Sequence, residues 1–288
     1  MSEHVLRAGA TSHGPWQVDI TPTTAAWTYT GLKVVTLAPG ETIHLDTGEF
    51  EYVVLPLSGS ATVGVGDAVF TLAGRRCVWG EVSDYLFVPR SSSVSVTSEH
   101  GGRFALPHAL ATTDRRARYC PASEATVALR GAGVATRQVT NYALDNPLDT
   151  DRLLVCEVLT PSGNWSSYPP HKHDEESENE HALEEIYYFE VRPSAAGPGF
   201  AFHSTYGTPQ RPIEVTERVF DGDTALVPHG WHGPCVAAPG HDLYYLNVMA
   251  GPGGPDWQST DDPCFAWVRG SWDDQPTDPR LPMPVQEA

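Results

Sequence analysis

Short stretches in which apolar and polar residues alternate run along almost the whole of this chain. Alternation with a period of two is typical of β-strands, and each stretch is bounded by glycine, proline or other turn residues. No segment keeps a helical period for longer than about two turns. The sequence therefore predicts an all-β fold of antiparallel strands. The clearest stretches are residues 32–37, 52–57, 60–65, 153–158, 186–189 and 243–248.

The two halves of the chain repeat one pattern. It consists of a glycine, a polar pair, an acidic residue that opens a strand, and a proline turn before a late strand. A repeat of this size indicates a duplicated β-barrel unit. We therefore predict two barrels in tandem, covering residues 1–130 and 131–288. The pattern covers residues 40–46, 51–59 and 86–90 in the first half, and residues 163–173, 184–188 and 222–232 in the second.

The second half carries histidines in a pattern that favours a metal site. His171 and His173 are two residues apart, so an extended strand places both imidazoles on one face. His232 follows the turn at Gly230, where its side chain can point inward, whereas His229 lies in the turn itself. Together with a glutamate between the two motifs, these residues predict a site for a divalent ion such as Zn, Mn, Fe, Ni or Co.

The carboxylate ligand is either Glu184 or Glu185. Adjacent residues of a strand point to opposite faces, and the period alone does not decide between them. The first half lacks the ligand set, because its polar pair is His44 and Asp46 and its proline turn contains no histidine. We expect the first barrel to be a structural copy without metal.

Four protein ligands leave coordination positions open, which is typical of a catalytic ion. Such an ion can hold substrate oxygens and stabilise an enediolate, provided that a nearby group carries the proton. For binding the substrate, and in particular a carboxylate on it, the sequence offers His203 and Arg218, with Arg211 as a further arginine. For the proton it offers Tyr188, Tyr245 and Lys172, and beside them His203, His241 and Glu185, without ranking them.

Composition narrows the choice of function. The formal net charge of −18 argues against nucleic acid as a partner, because phosphates require basic patches. No apolar run is long enough to span a membrane, and residues 1–7 contain no secretory signal, so we expect a cytoplasmic location. The five cysteines form no CxxC motif and are expected to be free thiols. A small-molecule substrate is the remaining partner, and the sequence leaves a homo-oligomer open.

The motifs resemble those of the cupin superfamily. The segment from Pro228 through Gly230 to His232 is one residue shorter than the usual cupin motif, so the third histidine ligand depends on likeness to a narrower group. That group is the 5-deoxy-glucuronate isomerase family of bacterial myo-inositol catabolism, which the chain resembles over nearly its whole length. The segments that carry the resemblance are residues 163–174, 183–188 and 242–251, with 56–59 and 86–90 in the first half.

The resemblance implies a bicupin that converts 5-deoxy-D-glucuronate into 2-deoxy-5-keto-D-gluconate with the help of a metal ion. In the related pectin-pathway isomerases, the ligand glutamate follows an apolar residue and opens a strand that ends in Tyr-Phe-acidic. Leu183 before Glu184, and residues 188–190, resemble that pattern, so the resemblance favours Glu184 over Glu185. Two other functions remain open: a cupin Fe(II) dioxygenase, and a bicupin that binds a sugar acid without catalysis.

Overall fold

The computed structural model describes residues 3–195 and 197–283, and this part of the chain is built almost entirely of β-strands. Helical structure is limited to α1 (Pro22–Ala25) and three 3-10 turns (Ala122–Glu124, Gly133–Ala135 and Ala266–Trp272). The expected all-β fold is confirmed. The strands of the first half are β1 (Val5–Leu6), β2 (Trp16–Ile20), β3 (Thr30–Leu37), β4 (Glu41–Asp46), β5 (Phe50–Val65), β6 (Ala68–Arg75), β7 (Tyr85–Val88), β8 (Ser93–Ser98), β9 (Gly102–Leu110), β10 (Arg118–Cys120) and β11 (Thr126–Arg130). Those of the second half are β12 (Arg137–Asn141), β13 (Leu154–Thr160), β14 (Trp165–Ser166), β15 (His171–Lys172), β16 (Glu184–Val191), β17 (Ala201–Tyr206), β18 (Glu214–Val219), β19 (Thr224–Val227), β20 (Trp231–Ala237), β21 (Leu243–Ala250) and β22 (Thr260–Asp261).

The strands form three antiparallel sheets that make up two barrels. A nine-stranded sheet, with path β10-β7-β5-β9-β3-β2 and with β4, β6 and β8 attached, curls around the core of the first barrel. The second barrel has a seven-stranded sheet of order β1-β19-β16-β21-β13-β12-β11. Its second wall is a six-stranded sheet of order β18-β17-β20-β15-β22, with β14 paired to β20.

Two strands from the first half of the sequence belong to the second barrel. β1 pairs with β19, and β11 pairs with β12. The boundary expected between residues 130 and 131 therefore lies in the hairpin between β11 and β12. The division into residues 1–130 and 131–288 stays a prediction, but strand pairing assigns both β1 and β11 to the second barrel.

The two barrels pack face to face around a third apolar core. One side of β16 and β21 contributes to this core, for example through Ile186 and Tyr244, while the other side faces the interior of the second barrel. Strands buried on both faces carry apolar residues at nearly every position. This explains why residues 186–189 and 243–246, which were counted among the alternating stretches, carry apolar or aromatic side chains at every position.

Two glutamates link the barrels by a reciprocal arrangement. Glu51, which is 1% exposed, lies on β5 of the first barrel and accepts hydrogen bonds of 2.7–3.0 Å from the backbone N–H groups of residues 151–153. Glu184, at the start of β16, accepts bonds of 2.7–2.9 Å from the backbone N–H groups of residues 28–30. Each barrel therefore supplies a carboxylate that satisfies backbone donors of the other.

A buried ion pair crosses the same junction. Arg75, at the end of β6, donates from Nη1 and Nη2 to the two carboxylate oxygens of Glu157 on β13, at 3.0 and 2.8 Å. Tyr142 donates to the same carboxylate at 3.0 Å. Both charged side chains are almost completely buried.

No helix in the described ranges is long and apolar enough to cross a membrane.

Candidate metal centre and substrate cavity

Three histidines meet inside the second barrel. His171 on β15 lies opposite His232 on β20 in the strand register, and His173 follows two residues after His171 on the same face. The ring centroid of His232 is 4.5 Å from that of His171 and 4.7 Å from that of His173. One nitrogen from each ring lies within 4.8 Å of the other two. The predicted cluster of His171, His173 and His232 is therefore present.

The second nitrogen of each ring faces a backbone carbonyl. Nδ1 lies 3.3 Å from the Pro169 oxygen in His171, 3.3 Å from the Leu183 oxygen in His173, and 3.1 Å from the Gly230 oxygen in His232. A carbonyl oxygen only accepts, so each Nδ1 carries the proton. In the neutral form of each ring, this tautomer turns the lone pair of Nε2 towards the centre of the cluster, as in metal-binding histidines.

Glu185 supplies the carboxylate of this cluster. Its Oε2 lies 3.1 Å from Nε2 of both His173 and His232, and its Oε1 accepts a 2.6 Å hydrogen bond from Asn247. Although burial alone would raise the pKa of Glu185, its contacts with His173 and His232 hold that pKa well below the usual range. The glutamate is therefore ionised and held in orientation by Asn247.

The cluster fits a cation at its centre. His232 Nε2 is buried and makes no hydrogen bond within the described part of the chain, even though a carboxylate oxygen is close to it. A neutral ring whose lone pair faces an ionised carboxylate is repelled by it unless positive charge lies between them. Burial would lower the pKa of His173, but its contact with Glu185 outweighs burial and raises that pKa, so a proton on His173 or a bound cation can each supply the charge. Burial, and then the neighbouring His232 and His173, lower the pKa of His171 well below its usual value. His171 therefore does not supply that charge by protonation.

The expectation that Glu184, not Glu185, faces the histidines is wrong. Glu184 lies on the opposite face of β16, where its carboxylate accepts the three backbone hydrogen bonds from residues 28–30. Burial raises the pKa of Glu184 above its usual value, and those hydrogen bonds partly offset the effect. The resemblance therefore assigned the inward-facing position of β16 one residue too early, to Glu184 instead of Glu185.

The cluster opens into a cavity of about 590 Å³ in the second barrel. Its wall includes His171 and Glu185, the inner faces of β12, β13 and β21, and residues of the C-terminal segment. Among the latter, Trp257 and Trp272 cover one side. The volume suits a small molecule, and charged and aromatic groups together line the wall.

Two tyrosines, Tyr187 and Tyr245, contribute to the wall of the cavity, and the ring of Tyr187 lies 6.3 Å from that of His232. Ser167 Oγ lies 3.4 Å from the hydroxyl of Tyr187 and 3.1 Å from that of Tyr245. Burial raises the pKa of both phenols, so they remain protonated and can donate hydrogen bonds. Tyr245 was predicted from the sequence, whereas Tyr187 was missed.

Tyr188 does not reach the cavity, contrary to the sequence-based expectation. Its side chain packs in the core between the barrels, on the same face of β16 as Ile186. The error has the same origin as the choice of Glu184. Once Glu185 is assigned to the inner face, the alternation of a strand places Tyr187 there and Tyr188 outside.

Lys172 also points away from the cluster. Its ammonium group binds Asp174, Glu175 and Glu180 at 2.8–3.0 Å, and these contacts raise its pKa although burial opposes the shift. A lysine held as a cation by three carboxylates is a poor proton acceptor. Its expected catalytic role is not supported, because it neighbours His171 in sequence but lies on the other face of the strand.

The residues expected to bind substrate lie outside the cavity lining in the described structure. His203 is 1% exposed and packs behind Tyr187 at a ring distance of 5.0 Å, with Nε2 3.0 Å from Thr205 Oγ1. The guanidinium of Arg218 stacks on Phe200 and Phe220. His203 therefore supports the position of Tyr187, and Arg218 belongs to the outer surface of β18.

Arg211 does not line the cavity either, and its guanidinium pairs with Asp174 at 2.8 Å. The arginines that do line the cavity are Arg130, Arg137 and Arg269, none of which the sequence analysis selected. Arg130 and Arg137 face each other across the β11–β12 hairpin. Their place in the cavity depends on the pairing of β11 with β12, so the sequence carried no local signal for them.

Comparison with known proteins agrees with this architecture. Residues 4–268 match the KduI/IolB family. The 5-deoxy-glucuronate isomerase of Geobacillus kaustophilus (strain HTA426) is 39% identical over 267 residues, which cover 90% of this chain and 94% of that protein. The 5-deoxy-glucuronate isomerase of Bacillus subtilis (strain 168) is 33% identical over 253 residues, or 87% of this chain and 91% of that one.

Two solved structures are also similar to this chain. An IolB-like protein from Salmonella typhimurium LT2 is 32% identical, with a TM-score of 0.85, and the match covers 93% of this chain and 99% of that one. The oxalate decarboxylase of Lactobacillus farciminis, solved as a formate complex, is 12% identical, with a TM-score of 0.63 over 91% and 89% of the two chains. At this identity the second likeness concerns the fold alone.

Two antiparallel barrels in tandem, one of them with a histidine cluster at its centre, define a bicupin, as the sequence predicted. The similarity over almost the whole chain narrows this class. The chain belongs to the KduI/IolB family. Both sequence relatives are 5-deoxy-glucuronate isomerases, and nothing in these comparisons supports the dioxygenase alternative.

Proposed function

We propose that this protein is an aldose–ketose isomerase that converts 5-deoxy-D-glucuronate into 2-deoxy-5-keto-D-gluconate. The observation that carries the proposal is the cluster of three Nε2 atoms and the Glu185 carboxylate at the wall of a cavity sized for a small sugar acid. Similarity to 5-deoxy-glucuronate isomerases over about nine-tenths of the chain supports the choice of substrate.

The residues that would hold a divalent ion are His171, His173, His232 and Glu185. When bound, the ion would polarise the carbonyl and hydroxyl oxygens of the substrate and stabilise the negative charge of an enediolate. Three imidazoles and one carboxylate accept Zn, Mn, Fe, Ni or Co, and the native metal is open. Asn247 and the three carbonyls that face the Nδ1 atoms would fix the orientation of these side chains.

The reaction requires two proton transfers. A proton leaves C2 and is delivered to C1, while the hydroxyl proton on O2 moves to O1, so that the aldehyde becomes an alcohol and the alcohol a ketone. The hydroxyls of Tyr187, Ser167 and Tyr245 can each donate and accept, so we assign them to the oxygen-bound proton. Tyr187 and Ser167 thus replace Tyr188 and Lys172, which the sequence had suggested for the proton, and Tyr245 is kept.

For the carbon-bound proton we assign Asp261. It lines the cavity, and in the register of β15 and β22 it lies directly opposite His171. Cross-strand neighbours of this kind have side chains close together on one face. Its carboxylate is oriented by Arg269, whose Nη2 donates to it at 2.7 Å. A positioned carboxylate is a suitable group for moving a proton between adjacent carbons.

The test uses the two adjacent glutamates as a matched pair. Purified wild-type protein, Glu185→Gln and Glu184→Gln are analysed for bound metal and then mixed with 5-deoxy-D-glucuronate in deuterated water. We expect wild-type protein and Glu184→Gln to bind metal and to form the ketone, with deuterium incorporated at C1 where solvent exchange accompanies the transfer. Glu185→Gln should lose metal affinity and conversion by at least tenfold.

Ketone formation that persists in Glu185→Gln at unchanged metal content would contradict the ligand assignment. Wild-type protein that contains metal and binds the sugar acid without converting it would favour the non-catalytic alternative. Oxygen consumption during the assay would favour the dioxygenase. The cytoplasmic location, the lack of a nucleic-acid or membrane partner, and a homo-oligomeric state stay predictions from the sequence.

A further inference from the structure

The cavity contains a buried cation that the proposed reaction has not used. Arg137, the first residue of β12, is only 9% exposed and lines the same cavity as His171 and Glu185. Its guanidinium lies over the ring of Trp272 at 5.7 Å and donates from Nη1 to the Ala135 carbonyl at 3.2 Å. A buried guanidinium ordinarily has a carboxylate partner, because burying an unpaired charge is costly.

Arg137 has no such partner among residues 3–195 and 197–283, where no carboxylate oxygen lies within 4.0 Å of it. The other two arginines of the cavity differ in this respect. Arg269 is bound by Asp261, and Arg130 has Asp145 at 4.0 Å. Burial lowers the pKa of Arg137 to about 10, so it is still a cation at neutral pH. Asp261 raises the pKa of Arg137 through space but is itself bound by Arg269, so a ligand carboxylate can still pair directly with Arg137.

The position of Arg137 suits the far end of a short chain. In the seven-stranded sheet, β12 is separated from β16, which carries Glu185, by β13 and β21. Three strand spacings correspond to about 14 Å between the backbones. The long side chain of Arg137 extends into this gap from one side, and the side chains of the proposed metal-binding residues extend into it from the other. The remaining distance is about the length of a small sugar acid. Tyr245, on the intervening strand β21, lies close enough to raise the pKa of Arg137, in opposition to the larger effect of burial.

We propose that Arg137 is the residue that binds the substrate carboxylate, and that it holds the substrate with the aldehyde end at the histidine cluster. This rests on the proposed function, because 5-deoxy-D-glucuronate carries its aldehyde and its carboxylate at opposite ends of the carbon chain. A planar guanidinium pairs with a carboxylate through two parallel hydrogen bonds, which fixes orientation as well as charge. Arg137 thus takes the role that the sequence analysis had given to Arg218.

The test separates the charge of the ligand from its shape. Binding of D-gluconate and of its neutral counterpart D-glucitol is measured by calorimetry on metal-loaded wild-type protein, Arg137→Gln, Arg137→Lys and the control Arg218→Gln. We expect Arg137→Gln to weaken gluconate by about 10- to 100-fold and to leave glucitol unchanged. Arg137→Lys should lie between, and Arg218→Gln should match wild-type protein. In the isomerase assay, Arg137→Gln should raise KM by a similar factor and affect kcat less.

Equal weakening of gluconate and glucitol in Arg137→Gln would indicate a structural role and overturn the proposal, as would a loss of the same size in Arg218→Gln. Conversion of 5-deoxy-D-glucuronate with unchanged KM in Arg137→Gln would overturn it while leaving the isomerase function intact. A preference for gluconate that depends on Arg137, in a protein that does not isomerise the sugar acid, would support the carboxylate site and refute the proposed reaction.

Discussion

We expect the buried His108 to make the first barrel sensitive to acid. This residue of β9 is 1% exposed, and its ring stacks on Tyr52 with centroids 4.6 Å apart. The ring also packs against Gly31, where a Cβ atom would lie only 2.1 Å from Nε2. Nδ1 is 3.2 Å from the Leu106 carbonyl oxygen. Burial lowers the pKa of His108 to about 4, with a hydrogen bond to Leu106 opposing the shift.

The effect on stability follows from the difference between the folded and unfolded proteins. An unfolded histidine titrates near pH 6.5, so between pH 6.5 and pH 4 the unfolded chain binds a proton that folded His108 does not. The free energy of unfolding therefore falls as the pH is lowered through this window. With a pKa of about 4 in the folded protein and about 6.5 in the unfolded chain, His108 alone should lower the free energy of unfolding by about 2 kcal/mol between pH 7.5 and pH 5.0.

The assay is urea denaturation of wild-type protein and His108→Asn at pH 7.5 and pH 5.0. Asparagine retains an N–H donor near the position of Nδ1 and does not titrate. The variant should be less stable than wild-type protein at pH 7.5, and the gap should narrow by about 2 kcal/mol at pH 5.0. His44→Asn, at an exposed histidine of the same barrel, is the control and should keep a constant gap. Parallel pH dependence of wild-type protein and His108→Asn would refute the reasoning.

The two links between the barrels give two further predictions. Glu184→Gln should lower the free energy of unfolding by about 2 kcal/mol, and the more deeply buried Glu51→Gln by about 3 kcal/mol, because each loses charge-assisted bonds to three backbone N–H groups. Urea denaturation at pH 7.5 measures both, and unchanged stability would contradict the reciprocal arrangement. Arg75→Met should cost about 3–5 kcal/mol because it leaves Glu157 buried and unpaired. The double variant with Glu157→Leu should lose less than Arg75→Met alone, and a larger, additive loss would contradict the pairing.

The fold was predictable because its signals are local. Turn residues bound each strand, and the repeat of the two halves appears in the order of glycine, acidic residue and proline turn. The assignment of β1 and β11 to the second barrel was not predictable in this way. These short strands complete the edges of a sheet formed by distant segments, and their own residues carry no mark of which sheet they join.

The histidines of the site were predictable for the same reason. His171 and His173 share a face through spacing alone, and His232 was selected from the geometry of one turn together with the likeness to a narrower group of cupins. Arg137 and Arg218 could not be ranked in this way, because the role of an arginine depends on which carboxylates lie near it in the fold. Arg218 packs on phenylalanine rings at the surface, whereas Arg137 is buried without an acidic neighbour within ion-pair distance in the described chain.

The confusion of Glu184 with Glu185 has a more specific cause. On a strand with one solvent-exposed face, the residues that point into the barrel form an apolar row. A polar residue that interrupts this row shows which positions of the strand point inward. β16 is buried on both faces, so no such contrast exists. The internal repeat nevertheless contained the missing signal. The first half has a single glutamate at this point, Glu51, followed by Tyr52, and Glu51 makes the same kind of backbone contacts as Glu184. The acid shared by both halves thus joins the barrels, while the acid found only in the second half faces the histidines. Tyr52 occupies the corresponding position in the first barrel, where it stacks on His108. A duplicated unit can therefore separate structural from site residues without any other sequence, because only the structural ones need to occur twice.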